Sequence, residues 1–186
     1  MRRFSAARWT RVCLALLACV HALTWASAPP SEYQVKAVFL FNFARFVTWP
    51  VTSFPASDAP FVIGVLGPDP FGAQLDNVVR GEAVSTHPFI VKRFGDISDV
   101  TDCNILFIGR TDPKRLEEIL SALKGRSILT VSDADSSQPR GLMIGLFTDN
   151  NRIRMRIDVA AAKEGNLTIS SNLLRPAQIV GQDPGQ

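Results

Sequence analysis

A series of short apolar runs, each of strand length and each closed by a turn or a helix-starting signal, constrains this chain most strongly. Residues 61–66, 88–94, 103–109, 127–131 and 141–148 are such runs, carrying FVIGVL, FIV, CNILFI, ILTV and LMIGLF. Between the third and fourth, Thr111-Asp112-Pro113 supplies a cap and a proline at the first helical position. Leu116, Ile119, Leu120 and Leu123 follow at helical spacing until Gly125. Residues 71–80 read as a shorter helix after the Gly67-Pro68-Asp69-Pro70 turn. Apolar strands alternating with helices predict a mostly parallel sheet flanked by helices on both faces. Asp149-Asn150-Asn151 then turns the chain into 152–159, where Ile153, Met155 and Ile157 alternate with Arg152, Arg154 and Arg156. That two-residue period marks a half-exposed strand and predicts an antiparallel hairpin at one edge of the sheet. The expected fold is a single α/β domain.

The first thirty residues have another character. Arg2, Arg3, Arg8 and Arg11 precede an apolar run from Val12 to Thr24, and Ala26-Ser27-Ala28 supplies small residues at its exit. Charge, short apolar run and small-residue exit are the parts of a secretory signal peptide. The expected division is a signal peptide at 1–28, a domain at 29–182 and a frayed tail at 183–186, with cleavage after Ala28 or Ala26. LLAC at 16–19 weakly matches a lipobox, the alternative in which Cys19 becomes a lipid-anchored terminus. Export places the mature chain outside the cytoplasm.

Removing the leader changes the charge. The whole chain is +3, but from Pro29 onward 16 Lys+Arg face 17 Asp+Glu, a net charge of −1. Phosphate affinity needs clustered positive charge, so no nucleic-acid partner is expected. Cys103 is left without a cysteine partner and sits in an apolar run, which reads as an inert core thiol, with an intermolecular disulfide as the alternative. His87 is left as the only histidine and opens a strand; without Cys or His pairs at ligand spacing, no metal and no cofactor are expected. Gly64-Val65-Leu66-Gly67 is not a phosphate loop, because Pro68 and Pro70 remove the backbone N–H groups such a loop needs. No acid–base or nucleophile set is visible, and the chain does not read as an enzyme. Asp133 ends a strand where α/β sheets place ligands, so Gly67, Asp69 and Asp133 are candidates for a small-ligand pocket. The function they would serve is a periplasmic small-molecule binding module presenting a signal to a membrane sensor kinase.

Two surfaces remain. Ser31-x-x-Gln34 reads as a capping box opening a helix over 32–48, stopped by Trp49-Pro50. This stretch holds Tyr33, Phe39, Phe41, Phe43, Phe46 and Trp49, six of the thirteen aromatics after residue 28. A helix apolar most of the way round must be covered on more than one side. The cover is either the domain's own core or an interface, which makes Phe39, Phe41, Phe43, Phe46 and Trp49 interface candidates. Arg152, Arg154 and Arg156 form a positive row, either a solvated edge or a docking site for an acidic partner or anionic lipid. A short helix at 160–164 and a last one at 173–180, cut by Pro176, complete the expectation.

EYQVKAVFLFNFARFVTWP at 32–50 resembles the opening helix of the YfiR family. IGVLG at 63–67 with DPFG at 69–72 resembles that family's first strand and turn. CNILFI at 103–108, LTVSD at 129–133, GLMI at 141–144, RIRMRI at 152–157 and ISSNLLR at 169–175 follow in the family's order. The resemblance implies a periplasmic regulator with an α/β fold, acting as a homodimer. Such proteins bind the periplasmic sensor region of an inner-membrane diguanylate cyclase and hold it inactive. An outer-membrane peptidoglycan-binding lipoprotein can sequester them, releasing cyclic-di-GMP synthesis and biofilm formation. Family members can carry a disulfide near the late hairpin; this chain has no cysteine there.

Overall fold

The computed structural model describes residues 31–133 and 138–181. The leader expected at 1–28, with Cys19, and the tail expected at 183–186 lie outside the described residues.

The chain opens on the capping box read from its sequence. The Ser31 hydroxyl accepts from the Gln34 N–H, and the Gln34 side chain accepts from the Ser31 N–H. Helix α1 (Glu32–Phe46) follows. It ends two residues earlier than expected, because the β-branched pair Val47-Thr48 turns extended as β1 and pairs antiparallel with β9 (Thr168–Ile169). The chain continues through β2 (Phe61–Leu66), α2 (Ala73–Val79), β3 (Ala83–Val84), β4 (His87–Phe94), β5 (Ile105–Ile108) and α3 (Pro113–Ala122). Asp112 caps α3 by accepting from the Arg115 N–H at 2.9 Å, with Pro113 at the first helical position. Strands β6 (Leu129–Asp133), β7 (Ile144–Asp149) and β8 (Arg152–Asp158) follow, then α4 (Val159–Glu164), β9, α5 (Ser171–Leu174) and β10 (Gln178–Val180).

Among the described residues eight strands make one sheet, in the order β10-β8-β7-β6-β5-β2-β4-β3. The pairs from β4 through β7 are parallel, β7–β8 is the expected antiparallel hairpin, and β3–β4 is also antiparallel. The helix expected over 173–180 is corrected. Only Ser171–Leu174 is helical; Pro176 cannot continue the ladder of N–H donors, and Gln178–Val180 joins the sheet parallel to β8. The hairpin is therefore flanked, over Arg156–Asp158, by one further strand.

Two apolar cores lie on the two faces. On the first, Leu40 and Phe43 of α1, Leu75 of α2, Ala162 of α4 and Leu173 of α5 pack on Ile63, Val65, Phe107, Val131, Ile144 and Leu146. Burying a side chain such as Phe43, which has no exposed surface, stabilises by roughly 1.5–3 kcal/mol. On the second face α3 presents Ile119 and Leu120 to Val62, Leu66, Leu106 and Ile108. The strand faces thus alternate in and out of the two cores, as continuously apolar β2 and β5 require.

Candidate functional site

The carboxyl ends of the parallel strands are where this architecture places ligands. Asp133, the last residue of β6, accepts a hydrogen bond from the Tyr33 hydroxyl at 2.9 Å and from the Lys36 ammonium at 2.7 Å. Lys36 also meets Glu32, one helical turn back, at 2.5 Å. Its side chain is only 3% exposed, so an ammonium is held inside the protein by two carboxylates. Burial works against that charge, but the hydrogen bonds to Asp133 and Glu32 outweigh it and raise the Lys36 pKa above its usual value. Burial and the Asp133 carboxylate raise the Tyr33 hydroxyl, while the Lys36 hydrogen bond lowers Glu32 despite its desolvation. Tyr33 also stands edge-on to Phe71 at 5.6 Å, and Phe71 edge-on to Phe107 at 4.7 Å, tying α1 to the sheet.

Asp69 has a comparable internal role. Its carboxylate accepts from the Phe71 and Gly72 N–H groups and pairs with Arg93 at 2.7 Å. Arg93 in turn meets Asp76 at 2.6 Å and lowers that carboxyl's pKa. Gly67 takes φ +79° to turn out of β2, donating its N–H to the Phe94 carbonyl. Sheet order sets β5 between β6, which carries Asp133, and β2, whose following turn carries Asp69, and each carboxylate has its own cation. Gly67, Asp69 and Asp133, the candidates for a ligand pocket, are thus each engaged within the domain.

These directions set a pH dependence. Lys36, Tyr33 and the buried Cys103 have raised pKa values in the folded state, so their contribution is full below about pH 9 and is lost as pH rises through the folded values. Glu32 and Asp76 are lowered, so theirs is present above about pH 4.5 and is lost as pH falls through the folded values. Melting temperature should be flat between these limits and drop on both sides. In Lys36→Met the alkaline drop should shrink while the acid drop, carried also by Asp76 with Arg93, persists. An alkaline drop as large in the variant as in the wild type would refute the assignment.

The aromatic interface set divides. Phe43 is fully buried and Trp49 is 9% exposed, its indole N–H donating to the Asn104 carbonyl at 3.2 Å. Both belong to the core, a correction for which the reason is plain: α1 is covered by the sheet on one side and by α2 and the β1–β9 ribbon on others. Phe39, Phe41 and Phe46 are half-buried at the margin of the same core. Phe41 packs on Phe89 at 5.1 Å, with the Arg45 guanidinium over its ring. The outward apolar groups here are Val38 on α1 and Val51 in the following turn. Arg152, Arg154 and Arg156 do fall on one face of β8, Arg152 and Arg154 exposed and Arg156 half-buried.

Other expectations resolve locally. His87 opens β4, stacks on Phe54 at 4.0 Å and places Nδ1 2.7 Å from the Ala59 carbonyl oxygen. Cys103 is free and buried, its Sγ donates to the Ile105 carbonyl at 3.0 Å, and burial pushes its pKa up to about 12. At the amino ends of β6 and β7, sequence reasoning found nothing, yet a cavity of about 620 Å³ opens between α3 and α4. Glu117, Lys124, Thr130, Arg140, Asp158 and Glu164 line it, from four stretches of the chain that carry no shared motif.

Among the described residues no helix is long and apolar enough to cross a membrane, and no three or more His, Cys, Asp or Glu side chains stand where they could hold a metal ion. None of the curated proteins compared with the chain matches it. The YfiR/HmsC-like family model matches residues 33–178, from Tyr33 of the Lys36 cluster to Gln178 at the start of β10. That match spans all but the first residue of α1, the other four helices and nearly the whole sheet: the chain belongs to the YfiR/HmsC-like family.

Proposed function

We propose that this chain is a periplasmic, non-catalytic regulator that binds the sensor region of an inner-membrane diguanylate cyclase and holds it inactive. Cyclic-di-GMP synthesis and biofilm formation would rise when that contact is lost. The observation that carries the reading is the family match across the described domain. The state of the polar groups supports it: at the carboxyl end of the sheet the buried Lys36 is paired with Asp133, and the more exposed Arg93 with Asp69. A repressor needs no reacting group, only differential affinity for one state of its target. Moving a two-state sensor from almost fully on to almost fully off takes about 5.5 kcal/mol of such difference. A homodimer, and sequestration by an outer-membrane peptidoglycan-binding lipoprotein, belong to the same proposal.

The test is cellular cyclic-di-GMP in the native host with the gene intact, deleted and restored. A rise on deletion that restoration reverses is the expected result. An unchanged level, with the neighbouring sensor genes expressed, overturns the reading and leaves a ligand-presenting module in its place.

A further inference from the structure

We infer that the outer edge of β4 is a docking site for an extended segment of a protein partner, which adds a strand to the sheet and sets a carboxylate opposite Lys92. This deepens the regulatory reading by naming the partner's chemistry, and rests on that reading only for who the partner is.

The sheet ends unevenly on this side. Strand β4 runs from His87 to Phe94, but β3 pairs only with His87 and Pro88. Each residue of a strand turns its N–H and C=O to one side, and its two neighbours turn theirs to the other. The Phe94 carbonyl accepts from the Gly67 N–H, so Ile90, Lys92 and Phe94 face β2. The Phe89 N–H donates to the Glu82 carbonyl, so Phe89, Val91 and Arg93 face outward. Among the described residues nothing bonds to the N–H or C=O of Val91 and Arg93 on that side. Phe89–Phe94 stays in unbroken register with β2, contains no proline or glycine, and keeps Ile90, Val91 and Phe94 half-buried. An unbulged apolar edge with free backbone groups is a template for another strand.

Side chains choose the occupant. Arg93 is engaged by Asp69 and Asp76, whereas Lys92 meets no carboxylate among the described residues. Lys92 is half-buried and shares its face with Ile90 and Phe94, which pack on the second core. In an antiparallel addition Val91 and Arg93 exchange backbone bonds with the incoming strand. The residue between those two partners then takes the closely spaced, non-hydrogen-bonded position opposite Lys92. A carboxylate there meets the ammonium, and opposite charges across such a pair stabilise it. A lysine also protects an edge from pairing, and it does so by charge: it turns away neutral or basic strands and admits an acidic one. A second copy of the chain is turned away too. Two-fold pairing centred on Lys92 sets that lysine against itself, and pairing centred on Arg93 does the same for Arg93. Pairing centred on Val91 brings Arg93 opposite the copy's Phe89, where Glu82 already stands.

The test uses the full chain purified from its secreted form, isotope-labelled for amide hydrogen exchange. In the free chain the Val91 and Arg93 N–H groups should exchange roughly tenfold or more faster than those of Lys92 and Phe94. The probe is a short synthetic peptide with Val-Glu-Val at its centre. A Val-Lys-Val peptide and a backbone N-methylated Val-Glu-Val peptide are the comparisons. The Glu peptide should slow exchange at Val91 and Arg93 by roughly tenfold or more, and the methylated one, which lacks the N–H donors, should not. Lys92→Glu, melting near wild type, should weaken the Glu peptide by about fivefold or more and take the Lys peptide in its place. Val91→Pro removes an outward donor, leaves the bonds to β2 intact and should abolish binding. Slow exchange at both amides in the free chain, equal binding of the methylated peptide, or protection confined to another surface overturns the proposal. So does concentration-dependent protection without peptide, which would make the edge a contact between copies. In the host, Lys92→Glu should repress less than the wild type at matched protein levels, while Lys114→Glu, on the exposed side of α3, represses normally. If deletion raises cyclic-di-GMP and Lys92→Glu represses fully, the docking site is wrong and the function stands. If deletion changes nothing, the function fails and the peptide titration still decides the edge.

Discussion

Asp133→Ala is expected to destabilise the domain by about 3 kcal/mol, lowering its melting temperature by roughly 6–12 °C. The reason is the position of Lys36. Its side chain is 3% exposed and Asp133 is 16% exposed, so the alanine leaves an ammonium inside the protein with one partner fewer. Removing one member of a buried pair costs about 3–5 kcal/mol; the lower end applies because Glu32 still reaches Lys36 at 2.5 Å. Tyr33 loses its acceptor as well. Removing the charge and its counter-charge together behaves differently, since well-packed apolar groups can replace a buried pair at little cost. Lys36→Met/Asp133→Leu should therefore recover most of the loss. Thermal and urea unfolding of the single and double variants make the measurement. Asp133→Ala melting with the wild type would show that the cluster does not hold α1 to the sheet.

What could be read beforehand was what is local. The Ser31–Gln34 capping box, the Asp112-Pro113 start of α3 and the Asn150-Asn151 turn each depend on residues a few positions apart, and each stands where it was expected. The turn even shows why two asparagines are there: both take positive φ, at 49° and 58°. The Lys36–Asp133 contact joins residues 97 positions apart and has no sequence signature. Likewise Gln178–Val180 is too short to announce itself as a strand, and its pairing is supplied by the free edge of β8. The aromatic helix was ambiguous for a physical reason: periodicity shows how many sides of α1 are apolar, not whether the cover comes from the same chain. Phe43 and Trp49 proved to be covered by it. The Asp69 and Asp133 carboxylates had the right addresses for a ligand, but their own cations arrive from α1 and β4, segments that only the fold brings near.

Gly109→Ala should be the most damaging addition of a single methyl group, costing about 3 kcal/mol or more in urea unfolding. A Cβ at Gly109 would overlap the Pro68 carbonyl oxygen and come within 3.1 Å of the Leu66 carbonyl oxygen and the Pro68 nitrogen. These are backbone atoms, and they are pinned. The Gly109 N–H donates to the Leu66 carbonyl at 2.9 Å, Gly67 is bonded to Phe94, and Asp69 holds the turn from the other side. Overpacking against flexible side chains can relax; overpacking against a braced turn has to separate β5 from β2. Gly95 is the control, with nothing within 4 Å of its added Cβ, and Gly95→Ala should unfold close to wild type. Equal midpoints for the two variants would mean that the turn yields. The same contact bears on function. The Pro68 carbonyl lies against Gly109 at the carboxyl end of β5, next to the Gly67–Asp69 turn where a ligand-binding α/β protein would keep its strand ends apart. A methyl group that is intolerable there means that the turn after β2 and the end of β5 leave no room for a ligand between them.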